Sequence, residues 1–346
     1  MPSFDRRRFL KYGLGASLGT LTLGTGGWWA LNRHRNLFEV RGASTMMKTI
    51  VSVTVLTEDH AHGRTVIDVA LRHMETTASL LSRFEPNGPV GVLNRTGRVD
   101  GPPPALLDVL RHARHYSEIS DGAFDVTVQP VLEYYYSLSR PVVLDRLDRR
   151  AVAQRDRLVD YRGVHFNAER AWLAHPGMAV TLDGIAKGYV VDQGIEALQR
   201  HGIRDAIVNA GGDVRAINGS DARPPWKIGI RDPHDAKRLC AVVALRNGAL
   251  ATSGNYEIYF SADRRLFHII DPHTGYSPDG YSGVTVLAER SVEADALGVT
   301  LYSLPLPRLR DPMRREGREW FIVSWNGRRR WRSPGFPLLE GAAQVV

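Results

Sequence analysis

The sequence has a single cysteine, no internal repeat and no confident membrane span. Cys240 has no possible partner within the chain, so no intramolecular disulfide can form and the fold must depend on packing. No low-complexity tract or long flexible linker follows residue 45, and one compact domain is the simplest organisation. The 43% of hydrophobic residues and 24% of charged residues are typical of a globular chain, and 346 residues suffice for a sizeable core.

The formal net charge of +8 does not indicate a nucleic-acid partner. The basic excess lies mainly in residues 6–11 and in the arginine-rich residues 308–332, and the sequence between them is close to balanced. Nucleic-acid modules interleave basic and aromatic residues, and no such module accompanies either stretch. We therefore expect no nucleic-acid partner and a solvated surface for the C-terminal arginines.

The N-terminal residues are typical of an export signal. Residues 6–11 (RRRFLK) match the twin-arginine pattern, in which two arginines and one free position precede Phe-Leu-Lys. Residues 12–31 are apolar but diluted by glycine and threonine, and no cysteine lies there for lipid attachment. We predict export to the periplasm followed by cleavage; an uncleaved anchor is the alternative, since no clear cleavage site precedes Asn32. Residues 1–42 are thus predicted as signal or anchor plus linker, and residues 43–346 as the folded domain.

Apolar periodicity predicts a mixed order of strands and helices after a polar linker at residues 32–43. Residues 49–56 (TIVSVTVL) alternate as a half-buried strand does. Two amphipathic helices follow, one ending at Leu81 and one after the prolines at residues 102–104. The same criteria predict strands at 206–208 and 284–288 and helices at 188–199 and 293–302. The predicted fold class is therefore α+β, a single domain with mixed or antiparallel sheets and packed helices.

Several short glycine-containing segments lie where strands and helices meet, the places where phosphates and metals are usually held. Residues 181–192 (TLDGIAKGYVVD) open a helix, so free amide groups and Lys187 could face an anion; an ordinary junction with a solvated lysine is the alternative. Residues 208–213 (VNAGGD) end a strand with paired glycines, which fit a tight turn or close approach to a ligand. In residues 267–275 (FHIIDPHTG), His268 could be a proton carrier or a structural histidine.

These segments occur in one consistent order with residues 82–95 (SRFEPNGPVGVLNR), 121–127 (DGAFDVT), 251–256 (ATSGNY) and 294–297 (ADAL). In that order they resemble the ApbE family, the FAD:protein FMN transferases, over most of the chain. The combination with a twin-arginine signal is further similar to the NosX branch, which flavinylates a membrane protein of nitrous oxide respiration. The resemblance implies transfer of FMN from FAD to a threonine or serine hydroxyl of a NosR-like periplasmic or membrane acceptor, with release of AMP.

The resemblance also implies two sets of binding residues. The positions that match FAD contacts of the family are Met47, Phe84, Ala123, Phe124, Asp125, Thr181, Lys187 and Ile269. Asp295 matches the aspartate of the family's magnesium site, and Gly184 or its neighbour would supply a backbone carbonyl; such hard oxygen ligands suit Mg2+. The threonine of that site is replaced by Val299. Glu293 or water are candidate substitutes, because Thr300 lies about 100° further around the helix.

The implied reaction is phosphoryl transfer, which depends on in-line positioning and on charge neutralisation around the pyrophosphate. A base must accept the proton of the attacking hydroxyl, and His268 is the candidate by its pKa range, with Asp183 second. Asp183 is also the candidate replacement for a family aspartate that stands as Thr181 here. An FAD pyrophosphatase, which gives the same phosphorus to water, and a non-enzymatic FAD carrier are the alternatives; Val299 motivates the carrier.

Overall fold

The computed structural model describes residues 20–22, 37–308, 316–341 and 343–345. The strands in these ranges are β1 (Thr20–Thr22), β2 (Phe38–Met46), β3 (Thr49–Thr57), β4 (Arg98–Asp100), β5 (Val164–Phe166), β6 (Arg170–Leu173), β7 (Asp205–Ala210), β8 (Asp213–Ile217), β9 (Trp226–Asp232), β10 (Asp235–Leu245), β11 (Gly248–Gly254), β12 (Tyr281–Ala288), β13 (Glu319–Ser324), β14 (Arg330–Arg332), β15 (Leu338–Glu340) and β16 (Gln344–Val345). The helices are α1 (His60–Leu81), α2 (Pro89–Thr96), α3 (Pro104–Ile119), α4 (Gln129–Ser137), α5 (Arg149–Asp156), α6 (Ala186–Arg200) and α7 (Ser291–Tyr302).

The central element is a nine-stranded sheet with the strand order β16-β14-β13-β12-β11-β8-β7-β3-β2. Its neighbouring strands are antiparallel except for the parallel pair β14 and β16. The described residues also form a four-stranded sheet, β1-β9-β10-β15, and a three-stranded sheet, β4-β6-β5. The predicted α+β class with mixed or antiparallel sheets is confirmed, as are the strands and helices predicted from periodicity.

Helices α1, α6 and α7 cover one face of the large sheet. On β3, Val51, Val53 and Val55 alternate with more exposed neighbours and lie fully buried in the core beneath these helices. The opposite face of the sheet packs on the four-stranded sheet, for example through Ile207 and Val243. Each sheet face that is apolar in sequence is thus covered by another layer.

Strand β2 corrects the predicted linker. It pairs with β3 over its whole length, so residues 38–43 belong to the folded domain and not to a linker. The hairpin turns at Met47 and Lys48, whose φ angles are 50° and 59°. Two consecutive left-handed residues are typical of a two-residue hairpin turn, and residues with side chains adopt them at a cost of about 1–2 kcal/mol each. This strained turn includes Met47, a predicted FAD contact.

A short hairpin lies in the irregular segment between β11 and β12. The N–H of His268 donates to the carbonyl of Ile258 at 3.1 Å, and Tyr259 and Phe267 form an antiparallel bridge. These backbone contacts fix the position of His268 although no long strand or helix carries it.

The arginines near the C-terminus are less solvated than predicted. Arg318 donates to Glu293 at 2.5 Å, and Arg330 donates to Asp232 at 3.3 Å. Arg332 donates to three backbone carbonyls. These three arginines are partly buried and join loops to the sheets, so the prediction of a merely solvated surface was wrong for them.

The predicted twin-arginine motif lies outside the described residues. Of residues 1–36, the structure describes Thr20–Thr22, whose backbone pairs with β9. Among the helices in the described ranges, none combines the length and the apolar composition that crossing a membrane requires.

Candidate active site

The first turn of α6 joins the glycine-containing segments of the sequence. The N–H of Thr181 donates to the carbonyl of Val126 at 2.8 Å, which links the turn before α6 to the segment at residues 121–127. The side chain of the residue that precedes α6 makes no capping hydrogen bond. Asp295 of α7 instead accepts the N–H of Gly188 at 3.1 Å. A carboxylate in the first turn of a helix is stabilised by the unpaired amides and the helix dipole, so α6 holds Asp295 in place.

Lys187 connects two buried carboxylates. Its ammonium lies 2.7 Å from Asp213 Oδ2 and 3.5 Å from Asp295 Oδ1. The lysine side chain is 30% exposed, whereas both aspartate side chains are 4% exposed. Burial alone would lower the pKa of Lys187, but Asp213 and Asp295 raise it above its ordinary value, so the ammonium stays charged. A fixed, partly accessible positive charge results, as anion binding requires.

The carboxylates around this lysine outnumber it. Burial, followed by the charge of Asp213, raises the pKa of Asp295 to about 7. Burial likewise raises the pKa of Glu257 to about 7, although Lys187 acts to lower it. Sequence reasoning did not assign a role to Asp213 or Glu257. Asp213 ends the segment VNAGGD, which was singled out for its glycines; nothing in the sequence distinguished Glu257.

The predicted metal residues Gly184 and Val299 face each other. A Cβ added to Gly184 would lie 3.1 Å from Val299 Cγ2 and 3.6 Å from Phe124 Cε2. Val299 is the one residue of α7 that is not buried. The helix therefore presents an isopropyl group to the site where the family has a hydroxyl, and Val299 can supply no oxygen ligand.

The substitutes considered for that hydroxyl do not fit. Thr300 is fully buried and its hydroxyl donates to the carbonyl of Ala296 at 2.9 Å, as the 100° rotation predicts. Glu293 accepts from Arg318 at 2.5 Å and burial raises its pKa, so its carboxylate serves an ion pair beside another part of the helix. Water remains the candidate replacement.

The remaining residues nevertheless fit magnesium. Mg2+ is commonly held by one or two carboxylates together with substrate phosphates and water. Asp295 supplies such a carboxylate, and the surplus of negative charge over Lys187 favours a divalent cation. In the described part of the chain, no three acidic, histidine or cysteine side chains form a metal site by themselves. Any Mg2+ here would thus depend on Asp295, backbone oxygen and a bound phosphate ligand.

The ring of His268 is oriented for proton transfer. Its Nδ1 lies 3.1 Å from the carbonyl oxygen of Ile258. A carbonyl only accepts, so Nδ1 carries the hydrogen and Nε2 of the neutral ring is the basic nitrogen. Burial and the charge of Lys187 lower the pKa of His268, while the Ile258 carbonyl and Asp183 act to raise it. The imidazole is therefore neutral at pH 7 and able to accept a proton.

Asp183 lies near this histidine but pairs with another residue. Its Oδ2 accepts from Arg83 Nε at 2.9 Å, and its side chain is 50% exposed. The guanidinium of Arg83 also lies 4.0 Å from the ring centroid of Phe84, which is 47% exposed. Met47 is partly buried against the main core. The carboxylate of Asp183 is thus bound by Arg83, which also lies over the ring of Phe84.

The predicted FAD residues at 123–125 are buried. Asp125 accepts the N–H and hydroxyl of Thr127 at 2.7 and 2.6 Å and the N–H of Tyr161 at 2.8 Å. Burial raises the pKa of Asp125 to about 6 despite these hydrogen bonds. Its carboxylate therefore stabilises the local turn, and the FAD contact that the resemblance implies for it stays a prediction. Three other predicted FAD contacts are also buried: Ala123 is 1% exposed, Phe124 3% and Ile269 5%.

The predicted site residues therefore fall into two groups. Lys187, Asp295, Gly184, Val299 and Phe124 surround the first turn of α6. The second group consists of Asp183 and Phe84, which contact Arg83, and of His268, which bonds to Ile258 within its hairpin. Their roles toward FAD stay predictions.

Known proteins are similar to this chain in sequence. The ApbE family model matches residues 47–321. An FAD:protein FMN transferase from Haemophilus influenzae is 33% identical over 65% of this chain and 68% of its own length. One from Treponema pallidum is 32% identical over 58% of this chain and 60% of its own length.

Solved structures show the same fold. An ApbE protein from Thermotoga maritima superposes with a TM-score of 0.76 and 29% identity, over 86% of this chain and 97% of that one. Flavin transferase ApbE from Vibrio cholerae has a TM-score of 0.74 and 23% identity, over 87% and 98%. Since the family model covers most of the chain and includes the lysine, aspartate and histidine of the site, this chain belongs to the ApbE family.

Proposed function

We propose that this chain is an FAD:protein FMN transferase. The observation that carries the proposal is a neutral histidine whose electrostatic surroundings include the fixed ammonium of Lys187. His268 presents a basic Nε2, and burial, with a smaller contribution from the charge of Lys187, lowers the pKa of its imidazole. A base for the attacking hydroxyl and a cation for the pyrophosphate are the two elements that phosphoryl transfer needs. The activity named for the relatives supports the same reaction.

Different residues of the site bind the pyrophosphate and the magnesium ion in this proposal. Lys187 and the amides at the start of α6 bind the pyrophosphate of FAD, because both offer positive charge at one place. Asp295, with a backbone carbonyl near Gly184, would hold Mg2+, which neutralises pyrophosphate charge when bound. Val299 and Phe124 place apolar side chains beside Gly184.

The reaction itself is a displacement at phosphorus. The threonine or serine hydroxyl of the acceptor forms a bond to the FMN-side phosphorus, and the bond from that phosphorus to the bridging oxygen breaks. AMP leaves with the electron pair, and His268 Nε2 takes the hydroxyl proton. Flavin phosphate is then esterified to the acceptor.

The test combines the chain with FAD, Mg2+ and a candidate acceptor domain. Transfer predicts a gain of one flavin-phosphate mass on the acceptor and one equivalent of AMP. Free FMN with AMP would instead show hydrolysis, and bound but unchanged FAD would show a carrier. Either of these outcomes, with an acceptor that a known relative modifies under the same conditions, contradicts the proposal.

We further propose that the chain acts in the periplasm on a NosR-like acceptor. The twin-arginine pattern at residues 6–11 supports export, and the acceptor must then present its hydroxyl on the outer side of the membrane. Cell fractionation tests this directly: replacement of Arg6 and Arg7 by lysine should retain the protein in the cytoplasm. Periplasmic location of that variant would contradict twin-arginine export, and an unmodified NosR-like domain in cells with active enzyme would exclude that acceptor.

A further inference from the structure

A row of alternating cations and aromatic rings lies next to the site, with Lys48, Phe84 and Arg140 exposed at the surface and the side chains of Arg83 and Phe260 buried beneath it. The ammonium of Lys48 lies 3.4 Å from the ring centroid of Phe84, and the guanidinium of Arg83 lies 4.0 Å from the same centroid. Arg83 is also 5.4 Å from the ring of Tyr136. Arg140 is 5.3 Å from that ring and 4.8 Å from Phe260. We call these residues the cation–aromatic strip: Lys48, Phe84, Arg83, Tyr136, Arg140 and Phe260.

The strip carries more positive than negative charge. Within the described ranges, Asp183 is the carboxylate that forms an ion pair with it, through Arg83. Arg83 is only 7% exposed, and its Nη2 is buried without a hydrogen-bond partner. Leaving a buried donor unpaired costs about 1–3 kcal/mol, more for a charged group. Burial and then the charge of Arg83 lower the pKa of Lys48, as expected where two cations share one carboxylate.

The strip is continuous with the hairpin that carries His268. Phe260 belongs to that hairpin, and the neighbouring residues Ile258 and Tyr259 are 38% and 42% exposed. Arg264, within the same hairpin, lies 5.2 Å from the ring of Tyr259. Exposed aromatic residues together with arginine are the composition of binding surfaces between proteins.

We propose that the cation–aromatic strip docks an acidic, extended segment of the acceptor protein and so brings its hydroxyl to His268. The inference rests on the proposed transfer to a protein hydroxyl. Acidic side chains complement the exposed cations Lys48 and Arg140, and the exposed ring of Phe84 provides apolar contact beside them. The part of the strip beyond Arg83 consists of the exposed Arg140, the partly buried Tyr136 and the buried Phe260 beneath them, and it includes none of the residues that the family resemblance assigns to FAD. FAD would therefore leave this part of the strip uncovered, whereas an extended protein segment can contact the strip along its whole length.

The experiment measures binding of two fluorescent peptides to the FAD-loaded full chain by anisotropy. Both have a central threonine; one has aspartate and glutamate around it, and the other has asparagine and glutamine at the same positions. The acidic peptide should bind about fivefold or more tightly at low salt, and the difference should shrink as salt rises. Arg140→Glu should remove that preference. Lys237→Glu, the same charge change at an exposed position of β10, is the matched control and should retain it.

Two further readouts complete the test. The FAD dissociation constant and the thermal midpoint should be unchanged in Arg140→Glu, which shows that its site and fold are intact. Equal binding of both peptides by the wild-type chain overturns the proposal, and so does an equal loss in Lys237→Glu. If Arg140→Glu weakens FAD binding as much as it weakens binding of the acidic peptide, the strip binds FAD and the proposal is wrong. If the acidic preference holds but no acceptor receives FMN, the docking surface stands and the proposed transfer reaction fails.

Discussion

The Nδ1 of His268 lies 3.1 Å from the carbonyl oxygen of Ile258, and this contact decides which ring nitrogen can act as a base. Because the carbonyl can only accept, Nε2 is left without a proton in the neutral ring. Burial of the ring lowers the pKa of His268, which keeps the imidazole neutral at pH 7.

His268→Gln should therefore lower the transfer rate by about 10²–10⁴-fold, the usual contribution of a general base. In the wild-type enzyme, the transfer rate should rise with pH as His268 loses its proton. The pKa of this rise should lie below the ordinary 6.5, because burial and the charge of Lys187 favour the neutral imidazole. Rates measured against pH with saturating FAD check this. His273→Gln, at an exposed histidine of the same segment, is the control and should retain activity. A His268→Gln enzyme as fast as the control would exclude the histidine as base.

Asp295→Asn should abolish transfer yet stabilise the metal-free protein at pH 8. The folded-state pKa of Asp295 is raised from 3.8 to about 7, so the folded state holds an extra proton between these values. The free energy of unfolding of the metal-free protein therefore falls as pH rises through that window. Asparagine removes this penalty, and we expect a thermal midpoint higher by about 2–4 °C. Asp160→Asn is the control. A hydrogen bond with Arg162 lowers the pKa of Asp160, so this substitution should not raise the thermal midpoint. A lower midpoint for Asp295→Asn would show that its bond to Gly188 outweighs burial.

Val299→Thr should tighten Mg2+ binding. Val299 faces Gly184 from the one accessible position of α7, and threonine has nearly the same shape with an added oxygen. Titration calorimetry with FAD present should show a Mg2+ dissociation constant lower by about threefold to tenfold, about 0.7–1.4 kcal/mol. Thr300→Val is the matched control, because that hydroxyl donates to Ala296 within the helix. An unchanged affinity in Val299→Thr would mean that this face of α7 does not contact the metal.

Asp213→Asn should weaken Mg2+ binding by about tenfold, about 1.4 kcal/mol. It removes a negative charge from the site, and it frees Lys187 to move from its 2.7 Å contact onto Asp295. Both effects act in the same direction. The loss of affinity should be smaller in a Lys187→Met background, because the competing ammonium is then absent and only the removal of negative charge remains. Equal losses in both backgrounds would show that Asp213 acts independently of Lys187.

Gly188→Ala should destabilise the fold by about 1–3 kcal/mol, as overpacking does. A Cβ at this position would lie 2.2 Å from the carbonyl oxygen of Ser291, so α6 and α7 must separate where Asp295 caps α6. Denaturant unfolding measures the loss. Gly280→Ala has no atom within 4 Å and should leave stability unchanged. A Gly188→Ala protein as stable as that control would contradict the tight helix contact.

Much of the fold could be predicted from local pattern. The strand at residues 49–56 alternates because one face of β3 is buried, and α7 was recognised from its apolar run. The linker prediction failed at residues 38–43, because β2 owes its structure to pairing with β3 and not to its own composition. The arginines near the C-terminus were misjudged for a related reason, since their partners, such as Asp232 for Arg330, are distant in sequence.

The sequence by itself determined the family, the order of the motifs and the identity of Lys187, Asp295 and His268 as candidates, because these depend on residue type and spacing along the chain. Only the tertiary structure decided that Asp213 is the closer partner of Lys187, that Asp125 is occupied by Thr127 and Tyr161, and which nitrogen of His268 is basic. Charge, burial and hydrogen bonding depend on which segments meet in space. Those contacts join residues that lie far apart in the sequence, and no local pattern records them.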